Sequence, residues 1–570
     1  MFNFVLGGST KKKLKLKQYQ KEAVQKLRDK NGVIIIHEVG MGKSLTASDI
    51  SYKILHSKKY KNLNIQKVIV IMPPILKNTG QFEKELKNYY IIKDKSFPKY
   101  EQKYFFYSYN KFNTTLFEKT FFQDALVIVD EADIMVNAFN KITKDKGKKD
   151  PWAWKITWAC FHAKRVVLLT ATPFRNRLSD LLPYYIILAK PANINLESYY
   201  YNSDEMYVIT VLHKEFMQSN TEVLEEKTYE SVVDKLLPYI LYQEHEEDEF
   251  AKVWYIKEKN GIFCKCPHLI DSKGKLVTID VEFEEEDLLY DKQKEFNVVV
   301  YSKNKSLQIP KRVFDKFPDL LKMYKKHMDS NYIITDTKLQ QEFLHSVNIQ
   351  RQQHISSGVF TKFRNIIDVS NEFPILVYSF FTSAGIEETI KNFQVNPNLK
   401  IVQFDSEDYK KKKNKSRVKS FAVIQGSTNA DQRNNIVRAY NKNKIDILII
   451  SSVANVGLDL QAPSRQVHIL SMDWNAKSII QTVGRVVRRG IHDELDEKNR
   501  NVKVFIYRCL SNGKLLLTNH KDLPNIISTQ EKAQLQNKIM NRIRKHFLIG
   551  QGDRQLECKT GEDISIKPEI

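Results

Sequence analysis

In the stretch "VIIIHEVGMGKSLTAS", Val33 to Ser48, a lysine and a serine follow two glycines where an aliphatic run gives way to a helical segment. A strand-to-helix turn of small residues points backbone N–H groups at a bound anion, and the positive helix end adds to the attraction. Lys43 would bring charge to the β and γ phosphates of a nucleoside triphosphate, Ser44 a hydroxyl to Mg2+, and Gly40 and Gly42 close backbone approach. One residue departs from the G-x-x-x-x-G-K-[ST] pattern: the first glycine would stand where the chain has His37. The shortened G-x-G-K-S is a weak match by itself.

Three further clusters supply what phosphoanhydride hydrolysis needs. In "LVIVDEAD", Asp130 and Glu131 close an apolar run. One carboxylate can hold Mg2+ through its water shell while the next activates the attacking water. In "RVVLLTATP", Thr170 and Thr172 end another run, where hydroxyls can hydrogen-bond those carboxylates and report the state of the γ-phosphate. In "IIQTVGRVVRRG", Gln481, Arg485 and Arg488 fall at i, i+4 and i+7, one face of a helix. Two arginines there match an arginine-finger role on a transferring phosphoryl group. Acidic strand ends and basic helix faces are common in proteins without such chemistry, so the reading rests on their occurring together.

Something must position these groups. Over 1–190 the runs "GVIIIHE", "KVIVIMPP", "KYFFYSY", "ALVIVDEAD" and "RVVLLTATP" alternate with helical segments. Continuous aliphatic strands separated by helices predict a parallel sheet covered on both faces, with ligands at the carboxyl ends of the strands. The rhythm returns over 346–512 in "FPILVYSFF", "KIVQF", "SFAVIQGS", "KIDILIISS", "RQVHILS" and "VKVFIYRC", predicting a second α/β lobe. Between them, 191–345 carries acidic runs ("EHEEDEF", "VEFEEEDLL") and reads as a linking or inserted region. The tail, 513–570, holds "STQEKAQLQNKIMNRIRKHF", in which Ser528 and Glu531 form a capping-box signature for a helix start. Leu535, Ile539, Ile543 and Phe547 share a stripe expected to pack on the second lobe. Lys538, Arg542, Arg544 and Lys545 beside it would be solvated or touch nucleic acid.

Composition bounds the class. The chain has 570 residues, 42% of them hydrophobic, with 19 Gly and 16 Pro, which suits several folded domains and not a disordered chain. Ninety Lys and Arg against 67 Asp and Glu give a net charge of +23. Such an excess favours a polyanionic partner, because each phosphate neutralised releases condensed counterions. Five scattered cysteines make no disulfide framework and point to a reducing compartment. No apolar run approaches the roughly 18 residues of a membrane span. A cytoplasmic protein without membrane attachment is the expectation. Cys264, Cys266 and His268 of "FCKCPHL" fall short of four zinc ligands. The basic run "DYKKKKNKSRVK" reads equally as a nucleic-acid contact or a solvated loop.

In order, "LKQYQ", "GMGKS", "VIVDEAD", "TATP", "ILVYSFF", "ANVGLDLQAP" and "QTVGRVVRRG" resemble the motif series of superfamily 2 helicases and translocases, over residues 14–190 and 355–510. "HEVGMGKS" resembles the "DEMGLGKT" form of Snf2-like members, in which the first glycine is often absent, so His37 is compatible with a phosphate loop. "GRVVRRGIHDELDEKNRNVKVFIY" looks especially like poxvirus nucleoside triphosphate phosphohydrolase I and the small subunit of the poxvirus early transcription factor. Helicase-like proteins of yeast linear cytoplasmic plasmids belong to the same circle.

The resemblance implies an α/β protein of two tandem RecA-like lobes with ATP and Mg2+ in the cleft between them. It implies Gln20 on the adenine, Gly40, Gly42, Lys43 and Ser44 on the phosphates, and Asp130 with Glu131 on metal and water. Gln481, Arg485 and Arg488 would reach the nucleotide from the second lobe. Gly457 and Asp459 would couple nucleic-acid contacts to hydrolysis, and Pro73 and Thr79 would lie near the strand, although "TGQFEKEL" lacks the tryptophan of Snf2-like proteins. The implied activity is ATP hydrolysis stimulated by nucleic acid, DNA before RNA, in cytoplasmic transcription of viral or plasmid type beside an RNA polymerase complex. The alternatives are a general unwinding helicase of replication or repair and a non-catalytic nucleic-acid-binding subunit.

Overall fold

The computed structural model describes residues 18–93 except 39, 101–142 except 115–117, 151–191 except 174–177, 226–243 and 250–256. Beyond these it describes 263–264, 277–282, short pieces between 307 and 334, most of 372–390, 393, 401–406, 409, 419–471 except 453–457, 476–511, 514–515 and 522–547.

The first lobe is a six-stranded sheet of β1 (Gly32–His37), β2 (Lys67–Met72), β3 (Tyr104–Ser108), β4 (Ala125–Asp130), β5 (Arg165–Thr170) and β6 (Ile240–Gln243). Its order is β3-β2-β4-β5-β1-β6, and every pairing is parallel. Strand side chains alternate between faces. Both faces here are apolar: Val33 and Ile35 of β1 enter one core while Ile34 and Ile36 enter another. In β4, Leu126 and Ile128 face the first of these cores, Val127 and Val129 the second. Each such side chain, fully buried, contributes about 1.5–3 kcal/mol of transfer free energy. This two-sided burial explains why the strands read as unbroken aliphatic runs.

The second lobe is built the same way on β12 (Ile375–Ser379), β13 (Val402–Gln403), β14 (Ser420–Ile424), β15 (Ile447–Ser451), β16 (Gln466–Ser471) and β17 (Asn501–Ser511). Leu376 and Tyr378 face one core, Ile375 and Val377 the other. These strands pair in parallel in the order β13-β14-β15-β12-β16-β17.

The stretch expected to link the lobes instead contributes to both. β6 completes the first sheet beside β1, while β7 (Lys252–Ile256) and β9 (Ile279–Glu282) pair in parallel with β17. β8 (Phe263–Cys264) joins β7 antiparallel, and β18 (Lys514–Leu515) joins β17 antiparallel, so the second sheet is mixed at that edge. A two-stranded antiparallel pair, β10 (Leu307–Gln308) with β11 (Ile333–Ile334), stands apart. Strands of two to five residues amid charged sequence leave no rhythm to read, which is why the segment read only as a linking or inserted region.

The tail also differs from expectation. Its helix begins at Asp522, not at Ser528, and Pro524 sits in the first turn where proline is tolerated. Its apolar stripe packs chiefly on the first lobe: Leu535, Ile539, Met540 and Ile543 join that core, and among the described residues of the helix Ala533 joins the second. Arg542 pairs with Asp234 of the Glu226–Asp234 helix at 2.7 Å, a first-lobe contact for a residue expected in solvent or on nucleic acid. One helix therefore spans both cores.

Among the described residues no helix is long and apolar enough to cross a membrane, and no cluster of three metal-ligating side chains occurs. Cys266, His268 and the lysine run after Tyr409 lie outside the described residues.

Because Ile539 is fully buried in the first-lobe core, Ile539→Ala is expected to cost about 2–5 kcal/mol of that lobe's stability. Denaturant unfolding of the full chain measures it, and a loss below about 0.5 kcal/mol contradicts the packing.

Candidate functional site

The glycine turn leaves β1 at His37. That residue is the last of the strand and is buried, so the position of the missing glycine belongs to the sheet and needs no special backbone freedom. Burial lowers the His37 pKa to about 3, helped by the Lys43 charge, which keeps the ring neutral. The two remaining glycines do need their freedom: Gly40 has φ +89° and Gly42 φ +74°. Gly42 caps the Lys43–His56 helix, and its carbonyl accepts from Thr46 N at 3.0 Å.

Lys43 turns back so that its Nζ donates to the His37 carbonyl at 3.1 Å. Its pKa is lowered first by burial, with Glu131 and Asp130 opposing. Gln20, on the Gln18–Asp29 helix, donates through Nε2 to Thr46 Oγ1 at 3.3 Å, so it is fastened to the helix that follows the turn. The Ser44 hydroxyl lies near the Glu85 carboxyl of the Gln81–Ile92 helix and favours its charged form.

Asp130 ends β4, and Glu131 follows in a left-handed conformation with φ +53°. A non-glycine residue held there costs on the order of 1–3 kcal/mol, and such strain collects at functional sites. The turn is pinned on several sides. Glu131 N donates to Asp130 Oδ1 at 3.0 Å, the buried Tyr109 hydroxyl donates to the carbonyls of Asp130 and Glu131, and Ile134 N donates to Glu131 O at 2.9 Å. Burial and the neighbouring Glu131 charge raise the Asp130 pKa, against the pull of Lys43.

Thr170 does meet a carboxylate, but it is Asp133: Oγ1 lies 3.1 Å from Asp133 Oδ1 and also accepts from Thr172 N at 3.0 Å. The Thr170 hydroxyl thus ties β5 to the helix after the acidic pair, not to Asp130 or Glu131 themselves, while the buried Thr172 hydroxyl has no hydrogen-bond partner among the described residues.

The second lobe closes on this edge with the Ala476–Val486 helix. Gln481 Nε2 lies 3.3 Å from Glu131 Oε2. Arg485 Nη1 donates to the Leu458 carbonyl at 3.2 Å, Arg488 Nη2 donates to the same carbonyl at 2.9 Å, and Arg488 pairs with Asp459. Burial and the Arg488 charge lower the Arg485 pKa to about 10, which leaves it charged at neutral pH. The approach is close: a Cβ on Gly40 would stand 3.2 Å from the Val487 carbonyl oxygen and 3.3 Å from Arg488 Cγ. Gln20, Gly40, Gly42, Lys43, Ser44, Asp130, Glu131, Gln481, Arg485, Arg488 and Asp459 therefore gather at one cleft. Pro73 and Thr79 bound the short Pro74–Thr79 helix, with the Thr79 hydroxyl donating to Leu76 O at 3.0 Å, and no contact with the cleft residues is seen for them among the described residues. Gly457 lies outside the described residues.

Three participants were missed from sequence. Lys477 reaches Glu131 Oε2 at 3.3 Å and pairs with Asp133. It stands one turn ahead of Gln481, so the i, i+4 spacing could have found it. Asp133 lay unread within "DEAD". Glu85 follows Gln81 by one turn in "TGQFEKEL", but nothing local says that this face meets the glycine turn.

The arrangement fits a magnesium triphosphate. Among the described residues the buried Nε atoms of Arg485 and Arg488 have no hydrogen-bond partner, as donors awaiting an anion would. Asp130 and Glu131, crowded together in a buried corner, would be relieved by a divalent cation shared with Ser44.

Residues 13–175 match the family described as type III restriction enzyme, res subunit, and residues 359–490 match the helicase conserved C-terminal domain. Protein L538 of Acanthamoeba polyphaga mimivirus, provisionally named an ATP-dependent RNA helicase, is 26% identical over 510 residues, 87% of this chain and 89% of its own length. An uncharacterized helicase of the Kluyveromyces lactis killer plasmid pGKL-2 is 28% identical over 29% of this chain and 28% of its own. A termination factor NPH-I homolog of African swine fever virus is 27% identical over 25% of this chain and 24% of its own.

Gly40→Ala would combine a left-handed backbone with contact against Val487. The backbone term alone is about 1–2 kcal/mol, so ATP affinity should fall about tenfold, read by equilibrium titration with a fluorescent ATP analogue. Affinity within about twofold of wild type would contradict the geometry. A second expectation concerns Glu85, whose pKa is raised to about 7 by burial and the Asp459 charge, against hydrogen bonds from Gln81 and Ser44 and the Arg488 charge. A carboxyl with a raised folded pKa stabilises below its unfolded value and loses that contribution as pH rises through the folded one. Glu85→Gln should therefore raise the melting temperature relative to wild type more at pH 8 than at pH 5; an equal shift at both pH values would refute the assignment.

Proposed function

The chain belongs to superfamily 2 of the helicases and translocases, related to the poxvirus nucleoside triphosphate phosphohydrolase I group, and from that premise we propose a DNA-stimulated ATPase that moves along nucleic acid. The observation that carries the reading is the convergence of Gln481, Arg485 and Arg488 from one lobe on the glycine turn and Glu131 of the other. Neither lobe alone holds a complete set of phosphate donors, base and transition-state cations.

In this reading the glycine turn and Lys43 bind the β and γ phosphates, Gln20 reads the adenine, and Glu131 takes a proton from the attacking water. Ser44 and Asp130 would hold Mg2+, which neutralises charge on the phosphate oxygens. Arg485 and Arg488 stabilise the charge that spreads over the transferring phosphoryl group. Hydrolysis removes the anion that both lobes share, so the cleft reopens and one lobe shifts along the strand. Thr170, Thr172, Gly457 and Asp459 link strand contacts to this cycle, with Pro73 and Thr79 as candidate strand contacts. The net charge of +23 supports a polyanionic track.

The setting we propose is cytoplasmic transcription of viral or plasmid type with an RNA polymerase complex as partner, supported by the kinds of genome that encode the relatives. The name of the mimivirus relative favours a second reading in which RNA is the track. Turnover measured with duplex DNA, single-stranded DNA and RNA across a salt series separates them.

Lys43→Ala and Glu131→Gln should each lower ATP turnover by about a hundredfold or more while far-UV circular dichroism stays native. DNA should raise wild-type turnover, with an apparent affinity that weakens steeply as salt increases. Wild-type turnover in either variant, or no response to any nucleic acid, would overturn the reading.

A further inference from the structure

The Ala476–Val486 helix carries one buried cation that the phosphate chemistry leaves without a task. Lys477 is 3% exposed, and its ammonium lies 3.3 Å from Glu131 Oε2 and in contact with Asp133 Oδ2. Asp133 is wholly buried, and its two oxygens are divided between lobes: Oδ1 accepts from Thr170 of the first and Oδ2 from Lys477 of the second. Burying an ammonium costs several kcal/mol unless it is paired and hydrogen-bonded, and both of the carboxylates it meets lie across the cleft. Gln481, one turn further on, donates to the same Glu131 Oε2 at 3.3 Å. Two donors from one helix face therefore converge on a single oxygen of Glu131 and leave Oε1 as the oxygen that faces neither of them.

Resting on the reading of Glu131 as the base, we propose that Lys477 is a positioning residue, a clamp from the second lobe that fixes the Glu131 side chain against Asp133 only while the lobes are docked. Opening the cleft withdraws the ammonium from both carboxylates, so Glu131 is free to rotate away from the γ-phosphate. Base geometry and cleft closure then become one event, and hydrolysis in a half-open cleft is suppressed. Arg485 and Arg488 cannot supply this, since they hold Leu458 and Asp459.

The full-length chain tests this with Lys477→Met, Lys477→Arg and the charge-balanced double variant Lys477→Met with Asp133→Asn, read by kcat, KM for ATP and melting temperature at saturating DNA. Loss of the clamp should lower kcat by roughly tenfold to a hundredfold, the range that misplaced catalytic groups cost, and change KM by less than about threefold. Lys477→Arg should recover most of the loss. The double variant removes the unpaired buried carboxylate, so it should regain the wild-type melting temperature and still lack turnover. This keeps the test open even if Lys477→Met alone folds poorly. Recovery of kcat together with stability in the double variant would show that Lys477 only neutralises Asp133, and the clamp would be wrong. So would a Lys477→Met kcat within about twofold of wild type while Glu131→Gln is inactive. Wild-type turnover in Glu131→Gln marks a different failure, that of the base assignment on which the clamp depends.

Discussion

A single carboxylate oxygen, Glu131 Oε2, receives donors from Lys477 and Gln481 at 3.3 Å each, and both come from the other lobe. Everything else in the molecule places these groups. β4 carries Glu131 to the edge of one sheet, and the Ala476–Val486 helix carries its partners from the other. A shift of one ångström between the sheets would break both bonds. The fold must therefore hold two large bodies in register while letting them part.

The tail helix meets that demand. Its stripe sinks Leu535, Ile539, Met540 and Ile543 into the first-lobe core and Ala533 into the second. The larger described side chains lie on the first lobe, so the helix is anchored there, while Ala533 is the small residue that enters the second core among those described. An asymmetric brace of this kind limits how far the second lobe can swing without welding it down. The charge pair of Arg542 with Asp234 is about one-third exposed on the Arg542 side and adds little by comparison with the buried stripe.

Much of this was legible in sequence, and the parts that were not share a physical reason. Strands buried on both faces announce themselves as aliphatic runs, and "GVIIIH" or "ILIIS" could hardly be anything else. Glycines at positive φ, a lysine after them and carboxylates at a strand end are local patterns, so Gly40, Gly42, Lys43, Asp130 and Glu131 stood out. What local pattern cannot convey is which element lies opposite. Thr170 turned out to bond Asp133 because the helix after β4 folds over β5, and Glu85 came near Ser44 because the Gln81–Ile92 helix packs on the helix that follows the glycine turn. Four-residue β6 is a sheet edge only because β1 lies beside it. The tail stripe was read as a stripe, but its spacing holds no information on which lobe it enters.

Several of the donors that would serve a triphosphate rest here on neutral carbonyls, although Arg488 also pairs with Asp459. Lys43 rests on His37 O, while Arg485 and Arg488 share Leu458 O. A bond from a cation to a carbonyl is weaker than one to a phosphate oxygen, where both partners are charged. Bringing phosphate into the cleft would therefore exchange three weaker bonds for stronger ones without exposing any donor. It would also release the Leu458 carbonyl, next to Asp459, from the two arginines that now hold it. By that exchange a bound nucleotide would draw both arginines off the Leu458 carbonyl, and its hydrolysis would let them return. Nucleotide would then bear on Leu458 and Asp459 through the same two arginines that hold them in this structure.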